Sequence, residues 1–304
     1  MAAVTTTRRG TLYGVSAYLL WGLFPLYWPL LEPSSALEVL AHRILWSLLV
    51  VVVLLAVLRK LPALLTVARD RAKLWRLAVA AVAVAVNWGT YIYGVSSGQV
   101  VETSLGYFIN PIVTVLLGVL VLGERLRPAQ WAALGLAFVA VLVLSVENGR
   151  PPWIALVLAF SFGAYGLLKK TAKVGAVEGL GIETLVLLVP AAAFVAFLGI
   201  GGDGTFGTEG PGHAGLLALS GLVTAVPLLL FGAAASRVPL TTLGILQYLA
   251  PSIQFLLGVT LFDEAMPTAK LLGFVLVWVA LALFTSDVVR HHRRSLRLAV
   301  AQPA

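Results

Sequence analysis

The sequence predicts an all-α integral membrane protein whose ten transmembrane helices form two inverted five-helix repeats, with both termini in the cytoplasm. Of the 304 residues, 60% are hydrophobic and 11% are charged, and the mean hydropathy is +0.98. Apolar runs of about 20 residues recur along the chain, and each can cross about 30 Å of hydrocarbon as a helix. A helix–turn–helix unit over residues 104–144 returns over residues 242–284.

The predicted spans follow the apolar runs, and most connections between them are short. Pro25 and Pro29 predict a kink in the first span, where Tyr27 and Trp28 are interpreted as interfacial belt residues rather than as the lining of a pathway. The longer connections are a polar, basic loop at 59–73, a Gly-rich loop at 200–213 and a tail from Arg290 that we expect to be disordered. The spans are predicted at 11–31, 35–58, 74–96, 101–122, 128–146, 152–168, 178–199, 214–235, 240–261 and 268–288.

The repeat has an offset of about 140 positions, which is the separation of Pro111 from Pro251. At this offset Glu264 falls on Glu124, and both are interpreted as turn residues at helix ends. The repeating unit contains five spans, an odd number, so the second copy enters the membrane inverted, as in many secondary transporters. The predicted domains are a first repeat at 10–146, an inverted second repeat at 152–288 and a basic cytoplasmic tail at 289–304.

The basic residues lie mostly in loops on one side of the predicted membrane. The net charge is +8, and this asymmetry predicts that both termini are cytoplasmic. The charge is therefore attributed to topology, and no nucleic-acid partner is predicted. Cysteine is absent, which excludes disulfides and thiolate metal sites. The pair His291 and His292 has no third ligand, so we predict no metal site and no cofactor.

Charged and titratable side chains in the second span are the first candidate site residues. Glu38 and His42 are four residues apart and share a helix face, and Arg43 lies roughly 12 Å into the span. An unpartnered charge at that depth costs at least about 2.5–3.5 kcal/mol on insertion scales. Arg43 either lines the substrate pathway or pairs with Glu38 or helix-end carbonyls to hold the bundle together. Opposite an uncharged wall, Arg43 indicates a small substrate with an anionic group, unless Glu38 already neutralises it.

Polar positions in the third, fourth and ninth spans form a second group of candidates. Asn87 and Tyr91 share a face of the third span, where interhelical hydrogen bonding is the alternative role. Polar residues also flank Pro111 and Pro251, each of which frees a backbone carbonyl. Their matching places favour a substrate cavity between the repeats over plain packing. They are Tyr107, Asn110 and Thr114 in the fourth span, and Gln247 and Gln254 in the ninth.

Three titratable residues are candidates for proton coupling: Glu38, His42 and Glu183. Histidine can change charge near neutral pH. Glu183 lies in the seventh span, near the place of His42 in the repeat. Its alternative role is to reach the membrane interface without taking part in transport.

Five segments resemble the RarD branch of the EamA group, within the drug/metabolite transporter superfamily. The resemblance covers about residues 10–288, and it implies a ten-helix transporter of two inverted EamA repeats in the bacterial inner membrane. Members of the branch are described as chloramphenicol-sensitivity proteins and permeases. The segments are AYLLWGLFPLYW (17–28), ALEVLAHRILWS (36–47), NWGTYIYGV (87–95), ETSLGYFINP (102–111) and GILQYLAPSIQFL (244–256).

The predicted function is secondary-active transport by alternating access, as a permease or exporter of a small molecule of unknown identity, and not enzymatic catalysis. No G-x-x-x-x-G-K-[ST] motif for ATP is present. The predicted partners are the substrate, the lipid bilayer and a coupling ion such as the proton, and a homodimer is left open. The alternatives are a membrane sensor that binds without transporting, and an intramembrane lipid-modifying enzyme, for which clustered acidic Mg²⁺ ligands are missing.

Overall fold

A computed structural model of the chain describes residues 2–123, 126–147, 149–235, 237–238 and 246–301. Helices make up 84% of it, and the described part contains no strand. The α-helices in this part are α1 Ala2–Gly22, α2 Ala36–Val57, α3 Leu61–Arg69, α4 Arg71–Ser96, α5 Val100–Leu122, α6 Pro128–Glu147, α7 Trp153–Ala172, α8 Ala176–Gly201, α9 Gly210–Ala235, α10 Leu249–Thr260 and α11 Thr268–Ala301.

The helices have the length and composition of membrane spans. Seven of them, α2, α4, α5, α6, α8, α9 and α11, are long and apolar enough to cross a bilayer, and α7 and α10 contain shorter apolar helices. Large apolar side chains cover the lateral surface, with Val146, Val189 and Ile200 exposed by 83%, 73% and 90%. Such a surface is stable in lipid and not in water. The prediction of an all-α, multi-pass membrane protein is confirmed.

The first predicted span is not one continuous helix. Helix α1 ends at Gly22, and two 3-10 helices, Phe24–Leu26 and Trp28–Leu31, continue the chain. Pro25 and Pro29 each lie in the first turn of a 3-10 helix, where a residue without an N–H is tolerated. The predicted kink is therefore a complete break in the α-helix.

Two connections predicted to lack structure are helical. The 59–73 loop contains helix α3, whose Leu64 is buried. The basic segment from Arg290 continues α11 as far as Ala301, so the expectation of a disordered tail was wrong. Asp70 separates α3 from α4 and accepts hydrogen bonds from the N–H groups of Ala72 and Lys73, both at 3.1 Å. The bonds from Lys73 hold the pKa of Asp70 below its ordinary value.

Close packing brings helices from the two ends of the sequence together. The most extensive contacts are α5 with α7, α6 with α11, α4 with α7 and α8, α2 with α8 and α9, α1 with α9 and α10, and α5 with α10. Two glycines set the closest approaches. A Cβ at Gly106 would lie 2.9 Å from the Ala155 carbonyl oxygen, and one at Gly221 would lie 2.6 Å from the Trp46 carbonyl oxygen. Glycine at these places lets α5 approach α7 and α2 approach α9.

Candidate functional site

Arg43 is buried where α2, α4, α9 and the 3-10 segment meet. Its side chain is 3% exposed, and Nε donates to Thr224 Oγ1 at 2.7 Å. The guanidinium carbon lies 4.1 Å from the ring centroid of Trp88, 5.1 Å from that of Trp28 and 5.8 Å from that of Phe24. We call these four partners the Arg43 cage. Aromatic faces attract a cation, and more strongly when it is desolvated.

The guanidinium has no counter-ion in the described part of the chain. No carboxylate there lies within ion-pair distance of Arg43. Glu38 points elsewhere: its Oε1 accepts hydrogen bonds from the Thr205 N–H at 2.7 Å and from Thr205 Oγ1 at 3.0 Å. Glu38 therefore does not neutralise Arg43, which removes one of the two structural roles that the sequence left open.

Three phenols border the Arg43 cage. Tyr91 is buried in one cluster with Phe24 and Trp28, and Tyr27 and Tyr107 pack against that cluster. The rings of Tyr91 and Tyr107 meet edge to face, with centroids 5.6 Å apart. The Tyr27 hydroxyl donates to the Leu216 carbonyl at 2.5 Å and so links the 3-10 segment to α9. The structure thus brings together Arg43, Tyr91 and Tyr107, which the sequence proposed from three separate spans.

Asn87 joins three helices beside this cluster. Its Nδ2 donates to the Leu158 carbonyl at 3.0 Å and to Ser161 Oγ at 3.1 Å, both on α7. Its Oδ1 accepts from the Tyr107 hydroxyl on α5 at 3.2 Å. The amide has protein partners at both ends, which is the interhelical role that the sequence offered as the alternative to substrate contact.

Glu38 belongs to a polar cluster that fastens the 202–209 loop. Ser34 Oγ lies 2.5 Å from Thr205 Oγ1 and 2.8 Å from His213 Nε2, and Thr205 Oγ1 lies 3.1 Å from the same nitrogen. With the two bonds from Thr205 to Glu38, these contacts join the start of α2, the loop and the start of α9. We call Ser34, Glu38, Thr205 and His213 the loop latch.

His42 contacts the same loop. Its ring stacks on Phe206, with centroids 4.8 Å apart and planes at 16°. Glu38 and His42 thus share a helix face, as their spacing predicts, and both reach the loop. Neither ring nitrogen of His42 has a hydrogen-bond partner among the described residues.

The second half of the chain holds an ion pair between a buried carboxylate and a partly exposed ammonium. Glu183 on α8 is 1% exposed, and its Oε1 lies 2.7 Å from the Lys169 ammonium on α7. Its Oε2 accepts a hydrogen bond from the Tyr165 hydroxyl at 3.1 Å. Lys169 also lies 5.6 Å from the centroid of the Tyr165 ring. Glu183 thus has a charged partner and a neutral donor.

The polar residues beside the two prolines have separate partners. Thr114 Oγ1 donates to Asn110 Oδ1 at 3.4 Å within α5. Gln254 Nε2 donates to the Trp21 carbonyl on α1 at 3.0 Å, and Gln247 is half-buried in the turn before α10. These contacts do not join the fourth and ninth spans into one wall, so their shared cavity stays a prediction.

Two buried carboxylates cap helices near loops between the halves. Glu264 accepts from the Val101 N–H at 3.0 and 3.2 Å, at the start of α5. Glu102 accepts from the Ile154 N–H at 3.0 Å, at the start of α7. Negative charge stabilises a helix N-terminus. Burial raises the pKa of Glu264, and its side chain caps a helix that is 163 positions away, whereas the predicted role was in its own turn. Glu124, predicted for the same role, lies outside the described residues.

Sequence reasoning did not assign several residues to the sites that they complete. Trp28 is 1% exposed beside Arg43, so it is not a belt residue. Phe24, Thr224 and Thr205 were not singled out, because phenylalanine and threonine are common in apolar helices and loops. Their partners on α2 are remote in sequence: Thr224 is 181 positions from Arg43. Among the described side chains, no group of three His, Cys, Asp or Glu could hold a metal ion.

Comparison with known proteins adds family relationships to this geometry. A model described as the EamA-like transporter family matches residues 8–146. Protein RarD of Streptomyces exfoliatus is 57% identical over 304 residues, which cover 100% of this chain and 96% of that protein. Protein RarD of Escherichia coli (strain K12) is 42% identical over 289 residues, covering 95% and 98%.

A solved structure shares the fold. A crystal structure of a protein with 19% sequence identity superposes with a TM-score of 0.60, covering 92% of this chain and 98% of that one. At this identity the likeness concerns the fold alone.

Proposed function

Since the chain belongs to the RarD branch of the EamA family of drug/metabolite transporters, we propose that it is a secondary-active transporter that moves a small molecule by alternating access. One observation carries the proposal: Arg43 is buried between helices of both halves and has no counter-ion in the described part of the chain. Ionisable groups inside membrane bundles are costly, and they mark substrate and ion pathways.

The proposed architecture has ten spans, with α3 lying outside the count. Helices α1, α2, α4, α5 and α6 form the repeat at 10–146, and α7 to α11 form the inverted repeat at 152–288. The contact pattern supports this division. In the proposed repeats α1 corresponds to α7, α2 to α8, α4 to α9 and α5 to α10. The contact α4–α7 then corresponds to α1–α9, α5–α7 to α1–α10, and α2–α9 to α4–α8. All six are among the most extensive contacts. The basic loops favour cytoplasmic termini. The proposed location of the protein is the bacterial inner membrane.

The 3-10 segment and the loop latch are the parts that we expect to move. Phe24 and Trp28 of the segment pack on the Arg43 guanidinium, and the segment is broken from α1 at Gly22. The latch holds the 202–209 loop over the same end of α2. In our proposal, opening of both parts exposes Arg43 to one side of the membrane, and rearrangement of the repeats exposes it to the other.

Proton coupling, if present, is assigned to the titratable residues Glu38, His42 and Glu183. Glu183 is the strongest candidate because its buried carboxylate faces a basic group, Lys169, at 2.7 Å. Glu38 and His42 already hold the 202–209 loop. An imposed pH gradient should change the transport rate of the wild type and leave that of Glu183→Gln unchanged. An equal response of both proteins would remove Glu183 from the coupling.

The test of transport is solute flux across sealed vesicles that contain the purified full-length protein. Vesicles are loaded with amino acids, organic acids, nucleosides, sugars or chloramphenicol, and release is compared with that from protein-free vesicles. We expect at least one solute to cross faster in the presence of the wild type, and this excess to be lost in Arg43→Ala. Arg76→Ala, which changes an exposed arginine of α4, is the matched control.

The alternatives give different results in the same vesicles. A sensor would bind a solute without net flux, and an intramembrane enzyme would release a chemically altered product. Either result would contradict the transporter proposal. Normal flux in a correctly inserted Arg43→Ala protein would leave transport intact but remove Arg43 from the pathway.

A further inference from the structure

We infer that the Arg43 cage binds the anionic oxygens of a small organic carboxylate, which is the substrate class of the proposed transporter. This inference rests on the proposed function. It begins with Arg43 and with Trp28 and Tyr91, two side chains of one buried cluster whose polar atoms have no hydrogen-bond partner in the described part of the chain. Arg43, Trp28 and Tyr91 are 3%, 1% and 3% exposed. Trp28 Nε1 and the Tyr91 hydroxyl have no hydrogen-bond partner in the described part of the chain, and Nε is the guanidinium nitrogen with a protein acceptor.

The chemistry of these groups selects the ligand. The Arg43 guanidinium and the Trp28 indole can only donate hydrogen bonds, and the Tyr91 hydroxyl can donate as well. Among the described residues, the acceptor that contacts the guanidinium is the neutral Thr224 hydroxyl, at 2.7 Å. A site rich in donors and poor in acceptors is completed by oxygens that accept, and a carboxylate matches the guanidinium fork with two of them.

The charge of the site limits the ligand to one negative charge. The described contacts of Arg43 are the Thr224 hydroxyl and the rings of Trp88, Trp28 and Phe24, with no second cation among them. A monovalent carboxylate leaves the buried site neutral, whereas a divalent phosphate ester would leave it negative. Burial of an uncompensated charge is unfavourable, so the arrangement favours the carboxylate.

The rings of the cage indicate the body of the ligand. Trp88, Trp28 and Phe24 lie with ring centroids 4.1 to 5.8 Å from the guanidinium carbon. A ligand bound to the guanidinium would lie among these rings, so the groups behind its carboxylate would contact ring faces. We therefore expect a small organic acid with an apolar or flat body rather than an inorganic anion.

The probes are pairs that differ only in the charged group. They are benzoate with benzamide, phenylacetate with phenylacetamide, isovalerate with isovaleramide, and lactate with lactamide. A ligand that binds the folded state raises the thermal midpoint as its concentration rises. We expect at least one carboxylate to raise the midpoint of the wild-type protein in detergent, and its carboxamide to leave it unchanged. Carboxamides as effective as the carboxylates, or no effect of any carboxylate, would overturn the inference.

Variants of Arg43 locate the effect. Arg43→Gln should weaken carboxylate binding by about 10- to 100-fold, because it removes the charge-assisted hydrogen bonds. Arg43→Lys keeps the charge without the fork, so it should retain part of the affinity. Arg76→Gln should bind like the wild type. If Arg43→Gln does not fold, the affinities of Arg43→Lys and Arg76→Gln for the carboxylate still test the inference. Equal affinity in these two variants would overturn it.

The midpoint of the protein without ligand is a second and independent readout. If the function of Arg43 is to bind an anion, its buried charge is unfavourable in the empty site. Arg43→Gln should then raise the thermal midpoint or leave it unchanged. If Arg43 only holds the bundle together, the same change should lower the midpoint, and that result would overturn the inference.

Binding and flux separate this inference from the transporter proposal. Carboxylate binding that depends on Arg43, without flux in sealed vesicles, would support the site and contradict transport. Flux of a neutral solute that is unchanged in Arg43→Gln would support transport and overturn the carboxylate site.

Discussion

Two cations inside the helix bundle, the partly buried Lys169 and the fully buried Arg43, are held in opposite ways. Lys169, on α7, forms an ion pair with Glu183 at 2.7 Å, and Tyr165 donates to the second carboxylate oxygen. Arg43, on α2, is surrounded by three rings and a hydroxyl, and no carboxylate lies within reach in the described part of the chain. The first arrangement is complete within the protein, whereas the second lacks a negative charge.

The difference indicates which cation is available for a ligand. In an ion pair inside a protein, each charge is already compensated by the other. Removal of one partner leaves the other charge without a counter-ion. A cation among aromatic rings keeps unused donors that a ligand can satisfy. The comparison is therefore consistent with our proposals, which give structure and coupling to the Lys169 pair and substrate binding to the Arg43 cage.

The largest expected effect on stability comes from breaking the ion pair. Lys169→Met leaves the Glu183 carboxylate buried without its counter-ion, so the free energy of unfolding should fall by about 3–5 kcal/mol. Denaturant unfolding in detergent measures the loss. The double variant Lys169→Met with Glu183→Leu should recover most of it. If the single and double variants are equally destabilised, the ion pair is not the cause.

A second prediction concerns a variant in which Arg43 gains a carboxylate partner, as Lys169 has. Thr224→Asp places a carboxylate on the residue that Arg43 Nε contacts at 2.7 Å. The new carboxylate competes with the ligand, so the affinity for the carboxylate that stabilises the wild type most should fall by about 10- to 100-fold. Thr224→Val, which removes the hydroxyl without adding charge, should have the smaller effect. Tighter binding by Thr224→Asp would contradict the role of Arg43.

A third prediction concerns the support of the cage. Asn87→Leu removes hydrogen bonds to Leu158, Ser161 and Tyr107. Interhelical hydrogen bonds in membranes contribute about 0.6 kcal/mol on average and at most about 1.7 kcal/mol, so stability should fall by about 1–2 kcal/mol. The unfolding free energy checks this value. Loss of ligand binding at unchanged stability would instead indicate that Asn87 contacts the substrate.

The smallest expected effect is the pH dependence contributed by Glu264, which caps α5. Burial raises the pKa of Glu264 above the ordinary 4.5, against the opposing effects of the Val101 N–H and Lys270. The folded state therefore holds this proton more tightly than the unfolded state does. The stabilisation is complete below the unfolded pKa and is lost as the pH rises through the folded pKa.

Thermal midpoints of the wild type and Glu264→Gln check this sign. The difference, wild type minus variant, should decrease as the pH rises from about 4 to about 7. A difference that grows with pH would mean that hydrogen bonds to the carboxylate outweigh its burial.

The sequence predicted the helices well, because apolar runs and the lack of polar alternation are local signals. It did not predict helix α3, because Leu61–Arg69 is short and lies among charged residues. It also took the first span as one kinked helix, although Pro25 and Pro29 support two 3-10 turns instead. The inverted pairing of the halves stays a prediction, which rests on the repeat that Pro111 and Pro251 indicate.

The candidate site was predicted only in part. Arg43 is conspicuous because a charge inside an apolar run is rare. Its surroundings depend on contacts between remote positions, such as Thr224, 181 positions away. The orientation of Glu38 could not be predicted either, because Arg43 and Thr205 are both plausible partners for a carboxylate. Only the packed structure distinguishes a neutralised arginine from an unpaired one.

The central claim is that the solute crosses the membrane bound at Arg43. The most direct test is the flux of the carboxylate that stabilises the wild type most, measured in sealed vesicles with equal amounts of inserted wild type, Arg43→Gln and Arg76→Gln. The account predicts equal flux for the wild type and Arg76→Gln, and flux at the level of protein-free vesicles for Arg43→Gln. Equal flux in all three proteins would contradict it.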